Sequence, residues 1–161
     1  MRKINSRGED IYNSDVFDVL VQYEVSRSKR YPTPMALLHL EMNPIASNDE
    51  ALQAATGVFT TTLNIHLRSV DIPSIAGNSF RILLPATNEP GLRAICERLL
   101  SVFKNKFNTP NGSSIAFSLQ IGATAHPGGE TLSTEDIFQK AGEALKQSKL
   151  KGQNTFVVIA S

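Results

Sequence analysis

The side chains of this chain that could do chemistry are few and scattered. His39 and Glu41 stand two apart in an apolar run, Arg68 and Asp71 stand three apart, and Lys149 comes late. On a strand, His39 and Glu41 would share a face with their Cα atoms about 7 Å apart. Such a pair could hold a metal or exchange a proton, but no third ligand is identifiable. His66 and His126 have no spacing that ties them to Glu41. A locally hydrogen-bonded His39 is the better reading. Arg68 offers a planar fork for a phosphate and Asp71 an acceptor; the plainer alternative is a helix-end ion pair worth about 0.3 kcal/mol. Between two apolar stretches lies Ala76-Gly77-Asn78-Ser79-Phe80. Its polar members can donate and accept hydrogen bonds but bring no charge. A turn that had to help hold a hard divalent cation would carry a carboxylate there.

Composition limits what these groups can serve. A chain of 161 residues with 41% hydrophobic content can bury one core and is too short for two ordinary domains. A formal net charge of +1 gives no electrostatic reason to expect nucleic acid. The lone cysteine, Cys96, excludes an internal disulfide and a multi-thiolate zinc site, and it falls among apolar residues as a small buried hydrophobe would. No window approaches the roughly 18 apolar residues of a membrane span, and Met1-Arg2-Lys3-Ile4-Asn5 leads into polar residues, so the expectation is a cytoplasmic protein without membrane insertion.

The elements that must position the candidate residues follow from periodicity. Ser14 reads as the N-cap of a helix to about Lys29, stopped by Tyr31-Pro32-Thr33-Pro34. Ala36 to Met42 reads as a central strand, with Pro44 and Ser47-Asn48-Asp49 marking the turn after it. A second helix starts near Asn48, with Leu52, Ala55, Phe59, Leu63 and Leu67 as its apolar stripe and Arg68 closing it. Ile72 to Ile75 and Phe80 to Leu84 form a hairpin over Gly77-Asn78. A third helix runs from about Glu89 to Phe107, and Ser114 to Ala123 alternates as a strand. Ser133-Thr134-Glu135-Asp136 resembles a capping box, Gly152 ends the helix that follows, and Thr155 to Ile159 is a last strand. Residues 1–13 read as an N-terminal extension and 14–161 as one domain.

In this order the segments resemble a GGDEF domain, the catalytic module of diguanylate cyclases, in degenerate form. Ala76 to Pro85 is similar to the family's signature turn and strand, keeping the second glycine, the phenylalanine and the closing proline. Ser118 to Ala123, then Ala141, Ala144-Leu145, Lys149 and Gly152-Gln153-Asn154, resemble its later motifs in order and spacing. The resemblance spans roughly Phe17 to Ile159. It implies an α+β palm-like fold of nucleotidyl cyclases, with a central, mostly antiparallel five-stranded sheet flanked by helices.

Family chemistry, as the resemblance implies it, joins two GTP molecules held by facing domains, with magnesium on two carboxylates. Glu41 stands where the first strand's Asp would be, and the turn position is uncharged. Pro44-Ile45-Ala46 replaces a phosphate-gripping stretch that ends in lysine, and Asn48 stands in for a guanine-reading asparagine only with a one-residue deletion. Gly57 falls near a missing aspartate, Lys149 keeps the late phosphate-binding lysine, and Gln153 replaces an arginine. Plainer readings make Glu41 a solvated strand-end carboxylate and Lys149 an exposed helix lysine. Arg68-Ser69-Val70-Asp71 resembles the family's R-x-x-D product-inhibition site, with four residues instead of five before the turn. Ile11 to Phe17 replaces an early L-T-G-L-x-N-R stretch, and members usually carry a sensory domain ahead of the module.

The expectation is a catalytically inactive GGDEF-like regulatory or interaction module in bacterial signalling. The alternatives are a cyclic di-GMP receptor using Arg68 and Asp71, and a weak diguanylate cyclase using Glu41. No catalytic residue and no metal ligand is assigned, and magnesium enters only with residual GTP binding. Cyclic di-GMP, GTP, a protein partner, an attached sensory domain and a second copy of the chain remain open as partners.

Overall fold

The computed structural model describes residues 11–161, so only the last part of the expected extension falls within it. Tyr12 there bridges to the edge of the sheet, its N–H donating to Pro73 O at 3.0 Å and its carbonyl accepting from Ile75 at 3.1 Å. Helix α1 covers Ser14–Arg30, β1 Met35–Ala46, α2 Asp49–Ile65, β2 Ile72–Ala76 and β3 Ser79–Pro85. Then follow α3, Glu89–Val102, β4, Phe107–Asn108, β5, Ser114–His126, α4, Thr134–Lys151, and β6, Thr155–Ala160. Among the described residues no helix is long and apolar enough to cross a membrane.

The sheet runs β2-β3-β1-β5, and β4 and β6 share the outer edge of β5. All pairings are antiparallel except β5 with β6. The five expected strands are present, and the two-residue β4 adds a sixth. It comes from a segment read as helix: α3 ends at Val102, and Phe107 pairs with Ile115. The apolar spacing runs on past the helix end because Phe103 and Phe107 both pack against the Phe117 ring, in the core layer that the helix also faces.

Other boundaries also move. Asn13 rather than Ser14 caps α1, because Asn13 is extended and its side chain accepts from Val16 N. Pro44 does not end β1 but lies within it, opposite Phe117. Met42 N–H points to Asn78 O of the hairpin, so with a period of two Pro44 turns its nitrogen to the same edge, past the end of β3, where no strand needs a donor. In α2 the buried stripe starts at Ala51, and Leu52 is 49% exposed. The helix stops at Ile65, which leaves Arg68 in the loop beyond it.

Strand alternation divides the core into two layers. Ala36, Leu38, Leu40 and Met42 of β1, with Phe80, Ile82 and Leu84 of β3, face α2 and α3. Phe59 anchors this layer, its ring 4.8 Å from Phe80, 4.3 Å from Phe103 and 5.2 Å from Phe117. Met35, Leu37 and Leu83 point the other way, toward Phe17, Val21 and Val25 of α1 and Ile137 and Ala141 of α4. His39 and Glu41 therefore also lie on the α1/α4 side. On that side Gly122 of β5 lets α4 come against the sheet: a Cβ there would stand 2.0 Å from Leu145 N and 2.6 Å from Ala141 O.

Candidate functional site

The β2–β3 hairpin and the far part of β1 form one end of the sheet. Gly77 adopts φ 64° and Asn78 keeps a negative φ, the pattern of a type II′ turn, in which glycine takes the first central position. Register sets Glu41 directly opposite Ser79. Lys149, in the last turns of α4, reaches over and pairs with the Glu41 carboxylate at 2.8 Å. Both side chains are partly exposed, so the pair contributes at most about 1 kcal/mol. The pair sets an ammonium group against the carboxylate.

Beside that pair, Ser79 Oγ and His39 Nε2 share a hydrogen bond of 2.8 Å. Burial, then the neighbouring Arg81 charge, hold the His39 pKa below the ordinary histidine value. Arg81, which sequence reasoning missed, pairs with Asp18 at 3.3 Å and lies 5.0 Å from the ring centroids of both Phe17 and Phe138. Those aromatic partners come from α1 and α4, so no local spacing advertises them. Asn78 turns its carbonyl to Met42 N at 3.0 Å, and its amide nitrogen stands 3.5 Å from Asn43 Oδ1.

Asn48 is placed apart from this group. Its Oδ1 accepts from Ala51 N at 2.8 Å as the N-cap of α2, and its Nδ2 donates to Ser113 Oγ at 2.9 Å. Both ends of the amide are thereby engaged in holding a helix start to the loop before β5. Among the described residues no group of three or more His, Cys, Asp or Glu gathers in a way that could hold a metal ion.

Arg68 and Asp71 form a second locus at the opposite end of β3, about 20 Å from Ser79 along the strand. Asp71 is 1% exposed. It accepts from Arg68 N and from Arg68 Nη2, each at 2.8 Å. The same Nη2 also lies 2.7 Å from Pro85 O and 2.8 Å from Thr87 Oγ1. The guanidinium thus clasps the loop after α2 to the β3–α3 connection, where Ala86 takes a left-handed φ of 50°. A hollow of about 290 Å³ opens beside it, lined by Arg68, Asp71, Thr87 and Asn88, and by Arg98 from α3. Arg98 donates to His66 O at 2.9 Å. Sequence spacing could not reveal Arg98, because tertiary packing alone brings α3 beside the Arg68 loop.

Residues 10–155 match the family described as diguanylate cyclase, GGDEF domain. Diguanylate cyclase DosC of Shigella sonnei is 29% identical over 154 residues, which cover 89% of this chain and 32% of that protein. The chain therefore spans about a third of the length of the curated relatives it matches. Among solved structures, the GGDEF domain of YfiN from Pseudomonas aeruginosa superimposes with a TM-score of 0.78 at 17% identity, covering 93% of this chain and 97% of that one. The GGDEF domain of DgcB from Caulobacter crescentus, solved in complex with c-di-GMP, gives 0.76 at 17% identity and covers 99% and 97%. With the hairpin, the sheet order and a match over most of its length, this chain belongs to the diguanylate cyclase GGDEF domain family.

Proposed function

We propose that this GGDEF domain does not condense GTP and acts instead as a regulatory or interaction module in cytoplasmic bacterial signalling. The supporting observation is the donor set at the hairpin tip. Among the described residues Glu41 is the one carboxylate on the strand position opposite the tip, and it already faces the Lys149 ammonium at 2.8 Å. Asn78 and Ser79 offer an amide and a hydroxyl, which supply no charge. Magnesium binds through one or two carboxylates together with substrate phosphates and neutralises charge on the transferring group. One carboxylate already balanced by a lysine does not fit that ion. Asn48 adds to the reading, since its amide is committed to capping α2.

The test is incubation of the purified chain with GTP and magnesium, with chromatographic separation of products. No cyclic di-GMP is expected, from the wild type or from Asn78→Glu, because the second variant still lacks the phosphate-side cation near Pro44 to Ala46. Turnover by the wild type overturns the proposal. Product from the single variant would show that the remaining contacts suffice.

The hollow beside Arg68 favours a second reading, binding of cyclic di-GMP, because two guanidinium groups line it. Arg68→Ala is a poor probe, since it also strips a buried carboxylate of its partner at a cost of about 3–5 kcal/mol. Arg98→Ala keeps that clasp. Calorimetry should show saturable cyclic di-GMP binding that weakens in Arg98→Ala; no heat at millimolar dinucleotide removes the reading.

A further inference from the structure

The outward face of α1 carries a pattern that neither the core nor the hairpin site uses. Val19, Tyr23, Ser26 and Arg30 follow one another at spacings of four, three and four, and all four are exposed. At 100° per residue they form a single stripe, opposite the buried Phe17, Val21, Val25 and Ser28. Val19 is 67% exposed and Tyr23 71%, and Tyr31 just past the helix is 65% exposed. Alternating steps of three and four are the spacing of a helix that packs on another helix, and Tyr and Arg are the side chains that anchor interfaces. Tyr23, Ser26, Arg27 and Arg30, with Tyr31, line a surface hollow of about 440 Å³. Four such helix positions make the hole that receives one side chain from a facing helix.

The charges on this stripe identify the occupant. Asp15 begins it and Arg30 ends it, and neither has an ion-pair partner among the described residues. Complementing the helix dipole accounts for an acid at the start and a base at the end, but not for Val19 and Tyr23 in water between them. Turned end for end about a two-fold axis between Gln22 and Tyr23, the stripe matches itself: Val19 faces Ser26, Tyr23 faces Gln22, and Asp15 faces Arg30. Self-complementarity of this kind is what an isologous dimer requires.

We propose that a second copy of this chain docks antiparallel on α1, seating its Val19 in the hollow between Tyr23 and Arg30 and pairing Asp15 with Arg30 at both ends. A helix of this length spans about 25 Å. An interface built on two of them lies at the small end of specific contacts, so the dimer is weak, with Kd on the order of 10 µM. Sedimentation reads this assembly without GTP, so its test can fail independently of the product assay above.

Sedimentation velocity of the full chain from about 1 to 500 µM should show a reversible monomer–dimer equilibrium. Arg30→Asp, which sets carboxylate against carboxylate at both ends, should raise Kd by about tenfold or more, and Tyr23→Glu should abolish the dimer. Asp15→Arg combined with Arg30→Asp should restore it. All the substituted side chains are exposed, and thermal melts of each variant confirm that it folds. A monomer at every concentration, a dimer indifferent to these substitutions, or a double reversal that fails to restore it would overturn the proposal.

Discussion

His39 shows how one half-buried side chain sets a pH response. Burial, with Arg81 beside it, lowers its pKa in the folded chain, whereas the unfolded chain titrates near 6.5. As pH falls through that value, the unfolded chain takes up a proton that the folded chain resists. Stability is therefore complete above about pH 6.5 and is lost on acidification toward the folded-state pKa. The urea midpoint should fall between pH 7.5 and 5.5, and His39→Gln, which can keep a bond to Ser79, should fall less. Equal slopes for the two proteins would remove His39 as the cause. Arg68 teaches a related lesson. Read from sequence, it could be an exposed pair worth tenths of a kcal/mol. In the fold its partner Asp71 is inaccessible, and the guanidinium ties down two loops.

Among the elements, α4 lies tightly against β5, and Gly122 is the reason. Its missing Cβ leaves room for the backbone of Leu145 and Ala141, at distances no side chain tolerates. Gly122→Ala must push α4 off the sheet, at an expected cost of about 3 kcal/mol. That corresponds to a loss of roughly 6–12 °C in Tm, measured by calorimetry. A smaller loss would mean that the helix shifts freely. Because α4 also carries Lys149, the same displacement should separate Lys149 from Glu41. Element positions were legible where amphipathic periods were strong, as in α1, α3 and β5. Boundaries slipped where a tertiary contact prolonged a period: Phe107 looked helical because it packs with the aromatic cluster around Phe103, and Pro44 looked like a stop because nothing local revealed a free edge.

For the molecule as a whole, Cys96 is an internal reporter. Its thiol is fully buried in the larger core layer, and burial pushes its pKa up to about 12. Thiolate is the reactive form, so alkylation at pH 8 should proceed only through opening of that core. The labelling rate should rise with urea in step with loss of the far-ultraviolet signal. Rapid labelling in native buffer would mean that α3 opens separately. The two-layer arrangement also explains the division of labour in the fold: the α2/α3 layer holds the aromatic cluster, while the α1/α4 layer carries the polar residues at the hairpin.

What the sequence settled by itself was composition of elements and of chemical groups. Alternating helical and strand periods specified an α+β chain, and the uncharged turn at Asn78-Ser79 could be read directly, because each depends on residue identity and near spacing. Only the tertiary structure decided what meets what. Lys149 and Glu41 stand more than a hundred positions apart and come together because α4 lies against β5 over Gly122. Arg98 reaches the Arg68 loop because α3 packs beside it. Contacts between residues distant in the chain are set by how amphipathic faces bury each other, and that information is spread over the whole core instead of any one motif.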